Sequence, residues 1–266
     1  MTAIVVAIVD TGLAPERFDA RLLVPGVNLS LDGPEHDTLD RHGHGTLVAS
    51  TVVAAAPGAR VMPVKLMGDR GYLRSGEQLE ASFEWILEHR AARHIGVVCA
   101  SFADASHLTT DESFRGTRLQ QLIAALREAG VPTVAPAGNG YPLRRRESLQ
   151  GMAWPAILRE VVSAGALESG AEGMRLSRAS QRLHADLGTG CSTTVFAEPG
   201  PPGGTSGAAA VVAGRLAVLR AANPVATVDE LVARLLNAGF RAPDEDSLAW
   251  PALSSPWRKW INLRSG

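Results

Sequence analysis

Cysteine is scarce in this sequence, with only Cys99 and Cys191 among 266 residues. Two cysteines cannot build the disulfide framework on which small secreted proteins depend, so the composition favours a reduced, cytoplasmic protein. Cys99 lies within an apolar run and is predicted to be a core residue rather than a nucleophile.

An excess of basic charge is also missing, because 26 basic residues face 27 acidic ones. Nucleic acids and anionic membrane surfaces usually require a basic surplus, so neither is expected as a partner. No apolar run reaches the ~18 residues of a spanning helix. The N-terminus has no basic segment followed by a hydrophobic stretch and a cleavage site, so no signal peptide is expected.

Short apolar runs rich in β-branched residues alternate with amphipathic stretches, a pattern that predicts parallel strands joined by helices. We expect an α/β fold with a doubly wound, mostly parallel central sheet and helices on both faces, in three layers. At 45% hydrophobic residues, one domain over residues 1–266 is expected. The predicted strands are Ala3–Val9, Arg60–Leu66, Ile95–Ala100, Thr133–Ala135 and Val161–Ala166.

Helix boundaries are indicated by capping residues. Ser75 and Gln78 form a capping box, and Gly130 stops a later helix as its C′ residue. The run Gly207–Leu219 has no polar face and predicts a buried helix. Thr227 and Glu230 cap a final helix that ends near Gly239. Two loops remain, Ser30–Arg41 and Tyr141–Gln150.

The first predicted strand leads into Asp10-Thr11-Gly12, which puts a carboxylate at the carboxyl edge of a parallel sheet. Asp-Thr-Gly also occurs in aspartic peptidases, where two carboxylates share a proton. No second Asp-Thr-Gly exists here, so that alternative requires a homodimer. An Asp that merely begins a turn before glycine is the simplest alternative.

His44 lies in the motif Gly43-His44-Gly45-Thr46, at the start of an apolar helix. Histidine is the natural general base near neutral pH. The other histidines have no comparable motif and are expected to be solvated: His36, His42, His89, His94, His107 and His184.

Ser206 lies in the motif Gly204-Thr205-Ser206-Gly207-Ala208, where a Pro/Gly-rich loop enters the apolar run. The amides and positive dipole end of a helix N-terminus would face a negative charge that develops beside this serine. An isolated Thr-Ser would be an ordinary N-cap. Three motifs in the order Asp, His, Ser favour a catalytic triad instead.

With these three motifs the sequence resembles the subtilase family of serine peptidases. The resemblance implies a triad of Asp10, His44 and Ser206, without metal or cofactor. It identifies Asn139, in Ala137-Gly138-Asn139, as the side-chain donor of the oxyanion hole. It also implies a peptide or protein substrate, bound as an extra strand between two walls of a specificity pocket. One wall is Ser101, Phe102 and Ala103, and the other is Ala135, Pro136, Ala137 and Gly138.

Some segments depart from the family pattern or correspond to it less directly. Gly207 replaces a frequent methionine and is expected to open the leaving-group side of the site. The short connection Ala54–Ala59 lacks the oxygen ligands of a calcium loop, so no metal site is expected there. Arg144-Arg145-Arg146 would border the specificity pocket. These arginines would form either a solvated turn or a site that recognises an acidic residue or carboxylate of the peptide. Trp260–Leu263 resembles the family's C-terminal return.

The resemblance leaves the biological role open. The sequence begins just before the first predicted strand, so the pro-segment of secreted family members is not expected. A peptidase without an inhibitory pro-segment needs another restraint, such as a regulatory partner, which favours a processing or maturation enzyme with few substrates. A transpeptidase or macrocyclase would use the same acyl-enzyme with an amine in place of water. A binding protein on a silent subtilase fold is the third alternative.

Overall fold

Ten β-strands form the middle layer of the part of the chain that the structure describes, residues 3–141, 150–170, 173–243 and 248–253 of a computed structural model. The strands are β1 (Val5–Asp10), β2 (Val27–Asn28), β3 (Arg60–Lys65), β4 (Ile95–Ala100), β5 (Thr133–Pro136), β6 (Val161–Gly170), β7 (Gly173–Leu176), β8 (Val195–Ala197), β9 (Phe240–Pro243) and β10 (Ala249–Ala252).

The strand order is β2-β3-β1-β4-β5-β6-β8-β10-β9, with β7 paired to β6 outside this path. All pairs are parallel except β6 with β7 and β9 with β10. β2 and β3 lie on one side of β1, with β3 beside β1, and the chain then crosses to β4 on the other side. Ligands collect outside the carboxyl ends of the strands at such a switch point, which places Asp10 and Ser101 at that edge.

Five helices of at least ten residues cover the two faces of the sheet in the described ranges. α1 (His44–Ala55), α4 (Gly204–Ala222) and α5 (Val228–Asn237) pack on one face, whereas α2 (Gly76–His89) and α3 (Arg118–Glu128) pack on the other. Each face has its own apolar core. The predicted three-layer, doubly wound α/β fold is therefore confirmed.

The predicted strands and caps are confirmed with small shifts of their ends. β1 begins at Val5 rather than Ala3, and β6 continues to Gly170 because its last residues form a hairpin with β7. Both capping boxes, at Ser75 and Thr227, are present. Gly130 follows α3 in the left-handed region, with φ of 78°. The strands β2, β7, β8, β9 and β10 were not predicted, because two to four residues give no clear periodicity.

The apolar run predicted to be a buried helix is α4, which contacts the sheet and α1. Its small side chains are buried over most of its length, although Val218 is 45% exposed. No helix among the described residues is both long and apolar enough to cross a bilayer. Trp260–Leu263 and residues 142–149 of the predicted second loop, including Arg144-Arg145-Arg146, lie outside the described residues.

Candidate active site

The end of β1 contacts the start of α1 through two charged or titratable side chains. Asp10 is the last residue of β1 and is fully buried, and His44 is the first residue of α1. Nδ1 of His44 lies 2.8 Å from Oδ1 and 2.9 Å from Oδ2 of Asp10. Because a carboxylate only accepts hydrogen bonds, Nδ1 carries the proton, and Nε2 of the neutral ring is the free base.

Asp40 holds the first turn of α1 beside this contact. Its carboxylate accepts hydrogen bonds from the hydroxyl of Thr11, the amides of His42 and Gly43, and both the amide and hydroxyl of Thr46. It thereby satisfies N–H groups that have no partner within the helix. Sequence analysis did not identify Asp40. The signal that could have found it is a carboxylate three residues before the glycine that begins a helix.

Two carboxylates determine the basicity of His44. Burial lowers the pKa of His44, but the hydrogen bond and charge of Asp10 and the charge of Asp40 outweigh burial, so its pKa lies above the usual value. Burial would raise the pKa of Asp40. Hydrogen bonds from Thr46, Gly43 and Thr11 nevertheless hold it below its ordinary range. Asp40 is therefore a stable negative charge near the imidazole.

Ser206 is the third residue of α4 and is partly exposed. With His44 and Asn139 it lines a cavity of about 430 Å³. No hydrogen bond joins the Ser206 hydroxyl to His44 in the described part of the chain. Such contacts are often long before substrate binds. The Ser206 amide lies in the first turn of α4, where no intrahelical acceptor exists for it.

Asn139 lies after β5 and is held by the residue before Ser206. Its Oδ1 accepts hydrogen bonds from the amide of Thr205, at 3.0 Å, and from the Thr205 hydroxyl, at 3.1 Å. A backbone amide only donates, so the atom that faces it must be the side-chain oxygen. Nδ2 of the exposed Asn139 is left as a donor toward the cavity that Ser206 lines.

The two predicted walls of the specificity pocket are placed differently. Ser101, Phe102 and Ala103 line the cavity beside Ser206. Ala135, Pro136, Ala137 and Gly138 are all buried and are not among the residues that line it. On that side the cavity is lined by Asn139, Gly140 and Gln181. Gln181 was not predicted as a site residue, and no local motif marks it.

Two other residues bear on the predicted chemistry. Cys99 is fully buried, and burial raises the pKa of its thiol, which agrees with a core residue. The expected opening at Gly207 is wrong, because a methyl group there would overlap the backbone carbonyl of Gly200. Within the described ranges no group of three or more His, Cys, Asp or Glu side chains is arranged to hold a metal ion.

Comparison with known proteins gives a consistent result. The model of a family described as the subtilase family matches residues 1–249. The major intracellular serine protease of Bacillus subtilis (strain 168) is 28% identical over 233 residues, which are 81% of this chain and 67% of that protein. Subtilisin DY of Bacillus licheniformis is 26% identical over 175 residues, 62% of this chain and 56% of that protein. The chain thus spans between about half and two thirds of these relatives.

Solved structures share the fold at low sequence identity. Sphericase superposes with a TM-score of 0.75 at 18% identity, over 94% of this chain and 89% of that one. A lanthipeptide protease superposes with a TM-score of 0.70 at 16% identity, over 98% of this chain and 88% of that one. These likenesses extend the match from the sequence motifs to the whole arrangement of strands and helices.

Proposed function

This chain belongs to the subtilase family of serine peptidases, and we propose that it cleaves peptide bonds with Ser206 as nucleophile, His44 as general base and Asp10 as the residue that orients the imidazole. The observation that carries the proposal is the Asp10 to Nδ1 contact of 2.8 Å, made at a cavity that Ser206 also lines. It leaves Nε2 free on the side from which a serine proton is taken.

The reaction follows from these positions. His44 accepts the hydroxyl proton as Ser206 attacks the carbonyl carbon, and Asp10 and Asp40 stabilise the imidazolium that forms. His44 then donates that proton to the leaving amine, which leaves an acyl-enzyme on Ser206. Water, deprotonated by His44, hydrolyses the acyl-enzyme and restores the serine.

The negative oxygen of the tetrahedral intermediate needs donors that are already aligned. In this proposal Nδ2 of Asn139 and the amide of Ser206 supply them. Thr205 fixes the oxygen end of the Asn139 side chain, so the amide end needs little reorganisation during the reaction. The positive end of the α4 dipole adds to the same stabilisation.

We propose a peptide or protein substrate that lies as an added strand along Ser101, Phe102 and Ala103. These residues continue from the end of β4 and line the cavity. Main-chain hydrogen bonds would supply the affinity in this mode, and side-chain pockets would supply the specificity.

The proposed role is processing of few substrates in the cytoplasm, with activity restrained by a regulatory partner. Two observations support the location in the cytoplasm. Cys99 and Cys191 are both free and buried in the structure, and one relative is named as an intracellular protease. A lanthipeptide protease with the same fold is compatible with a role in peptide maturation.

Labelling with a fluorophosphonate tests the nucleophile directly. Purified protein should label on one serine under native conditions, whereas Ser206→Ala should not label and His44→Ala should label far more slowly. Thr205→Ser is a matched control, since it retains a hydroxyl beside Ser206. If folded wild-type protein is not labelled and cleaves no peptide in a library, the results would instead favour a silent binding protein.

Mass spectrometry of the products separates hydrolysis from transpeptidation. Cleaved peptides should carry a free carboxylate with one oxygen from labelled water. Products joined to an added amine, or cyclised, in excess over hydrolysed ones would identify the acyl-enzyme as a ligation intermediate.

A further inference from the structure

Gln181 covers the surface that the second wall of the specificity pocket was expected to present. Gly138 is buried, and a methyl group at this position would overlap Oε1 of Gln181. The Gln181 side chain is itself only 2% exposed, yet it lines the cavity beside Ser206. Its amide therefore lies between the cavity and the backbone of Gly138.

Four hydrogen bonds hold this side chain and its backbone in place. The backbone amide of Gln181 donates a hydrogen bond to the carbonyl of Gly138 at 2.8 Å. Oε1 accepts from the amide of Gly140 at 3.2 Å, and Nε2 contacts the Ser106 carbonyl at 2.9 Å and Nδ1 of His107 at 3.0 Å. Gln181 thus bridges the segment that follows β4 and the segment that follows β5.

The orientation of the amide follows from the chemistry of its partners. The Gly140 amide only donates and the Ser106 carbonyl only accepts, so the oxygen faces Gly140 and the nitrogen faces Ser106. Both N–H groups of Nε2 are then used, one on Ser106 and one on His107. No donor of Gln181 is left for a substrate, and the side chain acts on the pocket through its bulk.

Space around the amide is limited on the opposite side as well. A methyl group at Gly138 would also lie 2.9 Å from the methyl carbon of Ala153, which is fully buried. Because Oε1 already lies where a methyl group on Gly138 would be, Gln181 has little room to retreat toward Gly138. A large substrate side chain would have to displace it.

We propose that Gln181 limits the substrate side chain just before the scissile bond to small residues, namely Gly, Ala or Ser. This inference rests on the proposed function, because it assigns the pocket between the two walls to that substrate residue. It names a substrate class: peptides that are cleaved after a small residue.

The test is a series of peptides that differ only at this position, with Gly, Ala, Ser, Leu or Phe. For the wild type, kcat/KM should be at least ~10-fold higher for Ala than for Phe. For Gln181→Ala the ratio should shift toward Phe by at least ~10- to 200-fold, the range for a single methylene group in an apolar pocket. Wild-type preference for Phe, or an unchanged ratio in Gln181→Ala, would overturn the proposal.

Matched variants distinguish the effect of the volume of the Gln181 side chain from the effect of its hydrogen bonds. Gln181→Met retains most of the side-chain volume without the hydrogen bonds and should keep the preference for the Ala peptide. If Gln181→Met lost this preference as fully as Gln181→Ala, the steric argument would be overturned. Gln181→Ser is a second opening variant if Gln181→Ala does not fold. Gln121→Ala, on the exposed face of α3, should leave the profile unchanged.

Binding to Ser206→Ala measures the same preference without turnover. Fluorescence anisotropy should give tighter binding for the Ala peptide than for the Phe peptide, and the order should reverse in Ser206→Ala/Gln181→Ala. This result would stand even if the wild type failed to cleave any peptide, so failure of the pocket assignment and failure of the peptidase proposal are distinguishable. Equal affinities for the Ala and Phe peptides, both in Ser206→Ala and in Ser206→Ala/Gln181→Ala, would overturn the pocket assignment and leave the peptidase proposal untouched.

Discussion

Asp40 accepts hydrogen bonds from both the amide and the hydroxyl of Thr46, at 2.9 and 2.6 Å. The two residues lie on either side of His44 in the sequence, so their contact closes the turn that carries the imidazole. Asp10 orients the ring from the sheet, and Asp40 holds the helix end from which the ring projects. The position of the proposed base thus depends on two carboxylates with different tasks.

Asp40→Asn should move the pH dependence of activity. Loss of this charge removes one of the effects that raise the pKa of His44, so the pKa should fall. The acid limb of kcat/KM reports the base in the free enzyme and should therefore move to lower pH. A pH profile on a peptide substrate measures this. The free energy of unfolding should also fall by about 1–3 kcal/mol, because the amide cannot accept at both of its ends.

Asp37→Asn is the control for that experiment. Asp37 pairs with Arg41 at 2.9 Å, and its carboxylate also accepts a hydrogen bond from the Leu39 amide, so among the described residues it does not hold the α1 turn. Its removal should leave the acid limb in place. An Asp40→Asn profile that is unchanged, or shifted to higher pH, would contradict the role given to Asp40.

Asn139→Ala should lower kcat with little change in KM, because the donor acts mainly in the transition state. The loss of one such donor in a subtilisin costs about 2.7–4 kcal/mol, or 10²–10³ in kcat, and a similar effect is expected here. Thr205→Val removes only one of the two bonds that orient Asn139. The lost hydrogen bond should raise the activation free energy by about 0.5–1.5 kcal/mol and so lower kcat roughly 2- to 12-fold. Equal effects of the two variants would argue against this division of roles.

Asp111→Asn should destabilise the fold above pH 4. Hydrogen bonds from Arg159 outweigh burial and lower the pKa of Asp111 from 3.8 to about 2. A carboxylate with a lowered pKa stabilises the folded state above its unfolded pKa, and this contribution is lost as the pH falls from about 4 to about 2. Arg159 is 41% exposed, so solvent screening reduces the expected loss at pH 7 to about 1–2 kcal/mol.

Chemical denaturation at several pH values measures that contribution. The difference between wild type and variant should shrink as the pH approaches 2. Asp229→Asn is the matched control, because Asp229 is 83% exposed in its ion pair with Arg127. It should change the free energy of unfolding by less than about 1 kcal/mol. Equal losses for both variants would refute the assignment of this contribution to the hydrogen bonds between Arg159 and the buried Asp111.

Gly207→Ala should destabilise the protein, because a methyl group would overlap the carbonyl of Gly200. Overpacking of this kind costs about 1–3 kcal/mol. Gly58→Ala is the control, since no atom lies within 4 Å of a methyl group there. Thermal unfolding should show a lower Tm for the first variant only. A Gly207→Ala protein with the Tm of the wild type would mean that the loop at Gly200 shifts to accommodate the methyl group without loss of stability.

Much of the fold could be predicted because its signals are local. The core strands are continuous apolar runs, and the capping boxes at Ser75 and Thr227 lie within four residues of chain. β8, β9 and β10 could not be predicted in this way. Ala252 of β10 pairs with Phe196 of β8 across more than fifty residues, and such short strands depend on partners rather than on pattern.

By itself, the sequence determined that Asp10 follows a strand and that His44 and Ser206 lie where helices begin, and therefore that the three residues lie near one edge of a parallel sheet. Only the tertiary structure decided what surrounds them. Asp40 reaches Thr11 across 29 positions, and Gln181 reaches Gly140 across 41 positions and Ser106 across 75. Such contacts leave no local pattern, because hydrogen bonds and packing between distant segments form only once the sheet has brought those segments together.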